Sequence, residues 1–152
     1  MTELIEIIYL IKTDLSTYHA SYVDFNLKSH CNFNVIISLM KLPNRKKASI
    51  EREKITNYLL NIYHPEGGPK AKFFRKIGYD ESKINEFKEA LLNIAKMNEV
   101  TKVDESKSKF VIKYIIDGTI VSPRNRKNHN IRTVWSIEKG HNIPRLSTAY
   151  RV

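Results

Sequence analysis

Scarcity says the most at first. One cysteine, five glycines and five prolines among 152 residues exclude several classes of protein at once. Cys31 has no partner for an internal disulfide, and no Cys/His cluster has zinc spacing, so it reads as an inert packed or partly exposed thiol. With glycine and proline rare and aliphatic and aromatic residues frequent, wholesale disorder is excluded. Long apolar runs are missing too. The Met1–Lys12 stretch is broken by Glu3, Glu6 and Lys12, is too short to span a bilayer, and lacks a basic start and a small-residue cleavage site. No membrane or secretory address is expected from it.

Acidic residues are the other shortage. There are 16 Asp and Glu against 26 Lys and Arg, a net charge of +10. Residues 1–50 hold six basic and four acidic side chains, so nearly all of the excess lies downstream. The densest run is Arg124, Arg126, Lys127 and Arg132, with His129 among them and no acid from Ile120 to Ile137. Such a run attracts polyanions or forms a plain solvated loop. The reading adopted assigns Arg124, Arg126, Lys127 and His129 to nucleic-acid binding.

At this length the chain has room to bury a core without staples. Ile55, Tyr58, Leu59 and Ile62 recur at i, i+3, i+4, i+7, one face of a helix, which His64-Pro-Glu-Gly-Gly-Pro ends. A second helix is expected to carry Phe73, Phe74 and Ile77 inward and to stop at Gly78. Asp80 suits the N-cap of a third, whose stripe is Ile84, Phe87, Leu91, Ile94 and Ala95. After a hydrophilic link at Lys102–Lys107 the apolar period changes to two. Phe110, Ile112, Tyr114 and Ile116 alternate with Val111, Lys113 and Ile115, and Asp117-Gly118 predicts a tight hairpin turn. Thr119–Val121 then returns as the partner strand. A basic loop at Pro123–Asn130 leads to a strand at Ile131–Ile137, and Gly140–Pro144 turns into a last strand from Arg145 to Tyr150. The expectation is an α+β domain, N-terminal helices packed on a C-terminal antiparallel sheet running from Lys109 to Tyr150.

Residues 1–41 stand apart. Leu4, Ile5, Ile7, Ile8 and Ile11 fit a short helix or a buried strand, while Val23, Phe25 and Leu27 alternate as a strand does. The division expected is an N-terminal extension or small accessory module at 1–41 and the α+β domain at 42–152.

The most informative stretch is His64-Pro-Glu-Gly-Gly-Pro-Lys-Ala-Lys-Phe-Phe, which sets an imidazole and an ammonium six residues apart around a glycine-rich turn. Imidazole transfers protons near neutral pH and lysine holds phosphate as a point charge. The Gly67-Gly68 pair is no P-loop, because the Lys-Ser/Thr ending is missing. No Ser-His-Asp or paired-carboxylate arrangement is recognisable.

These residues belong to a longer series. Leu42-Pro-Asn, Ala48-Ser-Ile, Lys54-Ile-Thr-Asn-Tyr-Leu-Leu, the His64 loop and Ile77-Gly-Tyr open it. Lys113-Tyr-Ile-Ile-Asp-Gly, Ile131-Arg-Thr-Val-Trp and Pro144-Arg-Leu-Ser-Thr-Ala-Tyr continue it. Together they resemble a small uncharacterised bacterial domain found alone and at the C-termini of large toxin-like proteins. That domain is in turn similar to the barnase–EndoU–colicin–RelE (BECR) group of metal-independent ribonucleases. The resemblance covers about Leu42 to Tyr150.

What the resemblance implies is a toxin-type endoribonuclease that cleaves RNA, transfer RNA included, by 2′-hydroxyl attack to a cyclic phosphate, with no metal and no cofactor. His64 matches the family's loop histidine, as base or acid, or as a brace bonding the loop backbone. Lys70 matches the lysine opening the second helix, where it holds phosphate or is ordinary surface charge. Arg132 and Thr133 match the Arg-Thr-Val-Trp strand. Strand alternation puts Thr133 with Trp135 on the core side, bonding backbone or at the cleft edge, and leaves Arg132 to grip phosphate. Thr148 and Tyr150 share one face of the last strand, where Tyr150 positions a phosphate, donates a proton or simply packs. His129 joins a second proton-transfer site if the basic loop folds inward; His19 and His141 carry no assignment. The catalytic set expected is therefore His64, Lys70, Arg132, Thr133, Thr148 and Tyr150.

Implied partners are RNA and an acidic immunity or antitoxin protein, with no membrane. The site of action is expected in the cytoplasm, with delivery as part of a secreted toxin open. The competing class is a non-catalytic nucleic-acid- or protein-binding module of the same fold.

Overall fold

The computed structural model describes residues 40–105 and 110–152. The readings made for residues 1–39 and 106–109 lie outside the described residues.

A 3₁₀ turn at Arg45–Lys47 precedes helix α1 (Arg52–Lys54), which runs directly into a π-turn at Ile55–Leu59. The Leu60 N–H donates to the Ile55 carbonyl at 2.9 Å, the i to i+5 bond that defines the wider turn. Ile55 and Leu59 are buried, but Ile62 lies beyond the helix and is exposed. Helix α2 (Gly68–Lys76) starts with a proline in its first turn, where the missing N–H costs nothing, and ends at Gly78 with φ +105°. The Asp80 carboxylate accepts the Ser82 N–H at 2.9 Å and caps a 3₁₀ turn, Glu81–Lys83, that leads into helix α3 (Ile84–Met97). The expected stripe of α3 is buried, with Leu92 added.

The sheet has four antiparallel strands in sequence order: β1 (Val100–Asp104), β2 (Val111–Val121), β3 (Asn128–Glu138) and β4 (Arg145–Arg151). The α+β class with helices preceding an antiparallel sheet is as expected, but the strand boundaries differ. Lys102–Asp104, the start of the expected hydrophilic link, belongs instead to the strand Val100–Asp104; Val103 pairs with Tyr114 and Asp104 with Lys113. Asp117-Gly118 makes no turn. It lies mid-strand in one 11-residue β2, with Asp117 opposite Arg132 and Gly118 opposite Ile131. A Cβ on Gly118 would sit 2.8 Å from Ile94 Cγ2, so the glycine is there because α3 crosses the sheet at that point. The β2–β3 turn is instead Ser122–Lys127, which moves His129 from the expected loop into β3.

Thr133, Trp135 and Ile137 of β3 alternate inward with Ile131, beneath Tyr114, Ile116 and Ile120 of β2. In β4, Leu146 and Ala149 are both buried although three residues apart. A register shift opposite Val134 and Trp135 permits this, since a bulge resets the alternation and leaves both Ser147 and Thr148 off the core. The free edge of β4 is met by Ser49, which bridges Arg145 in parallel. Phe74, Tyr79 and Phe87 join the helices to this core, their rings 4.6–4.7 Å apart through Phe87.

Candidate functional site

Tyr58 is the hub. It leaves the π-turn half-buried, and its hydroxyl accepts a hydrogen bond from Lys70 Nζ at 2.5 Å. The same hydroxyl lies 3.3 Å from Thr148 Oγ1, across 90 residues of sequence. Lys54 Nζ and Lys70 Nζ sit 4.2 and 4.8 Å from the ring centroid. The His64 ring meets the Tyr58 ring edge-on at 4.8 Å. Burial pushes the phenol up, but hydrogen bonds from Lys70 and Thr148 and the charges of Lys70 and Lys54 outweigh it, so its pKa falls below the ordinary value. Among the described residues neither Lys54 nor Lys70 has an ion pair.

His64, Lys70 and Thr148 therefore converge, but on a residue that helical periodicity had placed in an apolar stripe. The spacing of Tyr58 marked it only as an apolar position, and the partners of its hydroxyl, 12 and 90 residues away, carry no local signal. His64 Nδ1 accepts the backbone N–H groups of Glu66 and Gly67, at 3.2 and 3.0 Å. Two N–H donors on Nδ1 leave the ring proton to Nε2, so the lone pair a general base needs is already engaged. The structure gives His64 the bracing role. Gly67 completes the loop: a Cβ there would fall 2.4 Å from the Tyr58 carbonyl oxygen, so only glycine lets the loop close over the π-turn.

Arg132 and Tyr150 form a neighbouring group. They face each other across β3 and β4, two residues along β4 from Thr148. Arg132 donates from Nε and Nη2 to the two Asp117 oxygens, both at 2.7 Å. Its guanidinium is held above its ordinary range, first by those bonds, against desolvation, with a smaller contribution from Tyr150. Its fork is thus largely committed to a carboxylate. Thr133 takes the backbone-bonding place of the two expected for it, away from the other residues of the expected catalytic set. It is fully buried, its hydroxyl donating to the Ile116 carbonyl and accepting from Trp135 Nε1, both at 3.0 Å. The strand alternation that frees Arg132 turns Thr133 into the core.

The basic turn is built rather than loose. Ser122 Oγ donates to the Ile77 carbonyl at 2.6 Å, Ser122 N–H to the Lys127 carbonyl at 2.8 Å, and Arg126, at φ 61°, to the Ser122 carbonyl at 2.9 Å. Arg124, Arg126 and Lys127 are exposed, with no ion pair among the described residues. His129 is half-buried instead of loop-borne. Its ring lies edge-on to Phe73 at 5.7 Å, and its Nε2 is buried with no hydrogen-bond partner among the described residues. No helix among the described residues is long and apolar enough to cross a membrane.

No curated protein and no solved structure matches the chain. Residues 41–152 do match the family described as Domain of unknown function (DUF6883), and the chain belongs to that family.

Proposed function

We propose that this domain cleaves RNA in the manner of a metal-independent, toxin-type endoribonuclease, with Tyr58 and Lys70 as the proton-transfer pair. The observation that carries the reading is the 2.5 Å contact between Lys70 Nζ and the Tyr58 hydroxyl, beside Lys54, neither lysine having an ion pair among the described residues. A phenol held below its ordinary pKa is a base of useful strength when ionised. It takes the proton of a ribose 2′-hydroxyl as O2′ bonds to the adjacent phosphorus. The bond from phosphorus to O5′ breaks, and the Lys70 ammonium gives its proton to the departing oxygen. The products are a 2′,3′-cyclic phosphate and a free 5′-hydroxyl. Transfer of the proton from the Tyr58 phenol to the Lys70 amine restores the pair.

Lys54 adds charge where the pentacovalent phosphate builds its own. Thr148 holds the phenol from the β4 side. His64 shapes the loop against the Tyr58 ring and is not itself required to move a proton. A basic group of side chains of this kind also suits neutralisation by an acidic partner protein.

Incubation with total bacterial RNA in EDTA tests the reading. The wild type is expected to leave cyclic phosphate ends. Tyr58→Phe keeps the ring and its packing but removes the hydroxyl, and should cut the rate by about 10²–10⁴-fold with little change in the unfolding curve. Cleavage at the wild-type rate by Tyr58→Phe would remove Tyr58 from the chemistry. Salt-sensitive RNA binding by the wild type without any cleavage would assign the domain to the binding-module class.

A further inference from the structure

Three segments that pack against one another are free of acidic residues: Gly67–Tyr79, Ile120–Ile137 and Lys139–Val152. They hold Lys70, Lys72, Arg75 and Lys76, then the Arg124–Arg132 run, then Lys139, Arg145 and Arg151. The fold assembles them side by side as α2, the β2–β3 turn with β3, and β4. Seven acids cluster in and beside α3 and β1: Asp80, Glu81, Glu86, Glu89, Glu99, Asp104 and Glu105. Of the basic groups named, Arg75, Arg132 and Arg145 are paired with Glu81, Asp117 and Glu51.

Within the basic half the cations follow a line. Lys70, Phe73 and Ile77 stand at i, i+3 and i+7, one face of α2 extended by its C-cap. Lys70 meets Tyr58 and Thr148 at the proposed reaction centre. Phe73 has the Arg151 guanidinium over its ring at 5.8 Å, with His129 at its edge. The Ile77 carbonyl accepts the Arg124 N–H and the Ser122 hydroxyl, pinning the basic turn to the end of the helix. Seven residues of helix span about 10 Å, the length of about three nucleotides at ~3.4 Å per stacked step. Arg151 is exposed and has no ion pair among the described residues. Held over the Phe73 ring at cation–π distance, it presents a planar cation midway, the type of group on which a base stacks.

We infer that this row is a track for single-stranded RNA. It runs from the Tyr58 centre over the Phe73–Arg151 cation–π pair to the Arg124–Lys127 turn, so that affinity depends on nucleotides flanking the scissile bond. The inference rests on the proposed function for its starting point. Its new elements are Phe73 and Arg151, the alignment of the basic turn with α2, and a length requirement. An aromatic-backed cation between two basic groups favours a nucleic acid, whose bases stack on such a surface, over an acidic protein.

The test uses the full chain and 2′-O-methyl oligoribonucleotides, which have no free hydroxyl to attack, so that binding is read separately from cleavage. Six nucleotides should bind at least about tenfold tighter than two, as more phosphates release more counterions. Arg151→Ala and Arg151→Lys should both weaken binding of the six-mer and leave the two-mer as it was, since the lysine restores charge but not the stacking plane. Replacing Arg124, Arg126 and Lys127 together with Ala should flatten the salt dependence of the six-mer by a slope of about 2, at ~0.7 per phosphate lost. Equal affinity for two and six nucleotides overturns the track, as does an acidic polyglutamate peptide binding as tightly as the six-mer. Length-dependent binding with no cleavage of ordinary RNA upholds the track and sinks the reaction. Cleavage of a dinucleotide as fast as of a longer strand does the reverse.

Discussion

The Trp135 indole N–H donates to the Thr133 hydroxyl at 3.0 Å, and both residues are fully buried. The hydroxyl in turn donates to the Ile116 carbonyl, linking β3 to β2 beside the largest side chain of the core. The Thr133 hydroxyl is therefore the buried acceptor of the indole N–H and is itself satisfied by a backbone carbonyl.

Thr133→Val should therefore act on stability and not on chemistry. It keeps the shape but orphans the indole N–H, at a cost of about 1–3 kcal/mol. Urea unfolding should show that loss, Thr133→Ser should recover most of it, and RNA cleavage per folded molecule should stay near wild type. A Thr133→Val protein as stable as wild type but inactive would return Thr133 to the active site.

His64 separates bracing from proton transfer through one choice of substitution. The side-chain oxygen of an asparagine accepts the same Glu66 and Gly67 N–H groups that His64 Nδ1 accepts. His64→Asn is expected to cleave RNA within about threefold of wild type, since no proton-transfer group worth 10²–10⁴-fold has been removed. His64→Ala, which leaves both donors unmet, should cost about 1 kcal/mol and loosen the loop. A rate loss of about 10²-fold or more in His64→Asn, with the fold intact, would put the imidazole back in the chemistry.

Tyr79 supplies a pH-dependent test of the core. Its hydroxyl donates to the Val121 carbonyl at 2.9 Å, and burial, aided by Glu86, pushes its pKa from 10.0 up to about 12. A folded-state pKa above the unfolded one means that the folded protein holds the proton longer. The contribution of this group is therefore full below pH 10 and is lost as the pH climbs from 10 towards 12. Tyr79→Phe should be less stable than wild type by about 1 kcal/mol at neutral pH, and that gap should narrow across the alkaline window. Urea midpoints that run parallel in the two proteins from pH 8 to pH 12 would show that Tyr79 is not protonated by its burial.

The helices were legible because their causes are local. A 3.6-residue period over Ile84–Ala95, a carboxylate at Asp80 and a glycine at Gly78 lie within a few residues of what they control. The same holds for the strand alternation that turned Arg132 away from the core and Thr133 into it. Elsewhere local chemistry pointed the wrong way. Asp-Gly is a strong turn signal, yet here the aspartate is the cross-strand partner of Arg132 and the glycine makes room for Ile94. Both reasons are supplied by residues far away in sequence. β1 escaped notice because its Thr101 and Lys102 are exposed, so the strand carries little apolar alternation. Tyr58 is the largest gap between sequence and structure. Its spacing from Ile55 and Leu59 marks it as one more apolar position, and nothing nearby shows that a lysine and a threonine meet its hydroxyl. Periodicity and capping are properties of neighbouring residues, which the sequence alone determined. Which polar groups share a site depends on how strands and helices are laid against one another, and only the tertiary structure decided that.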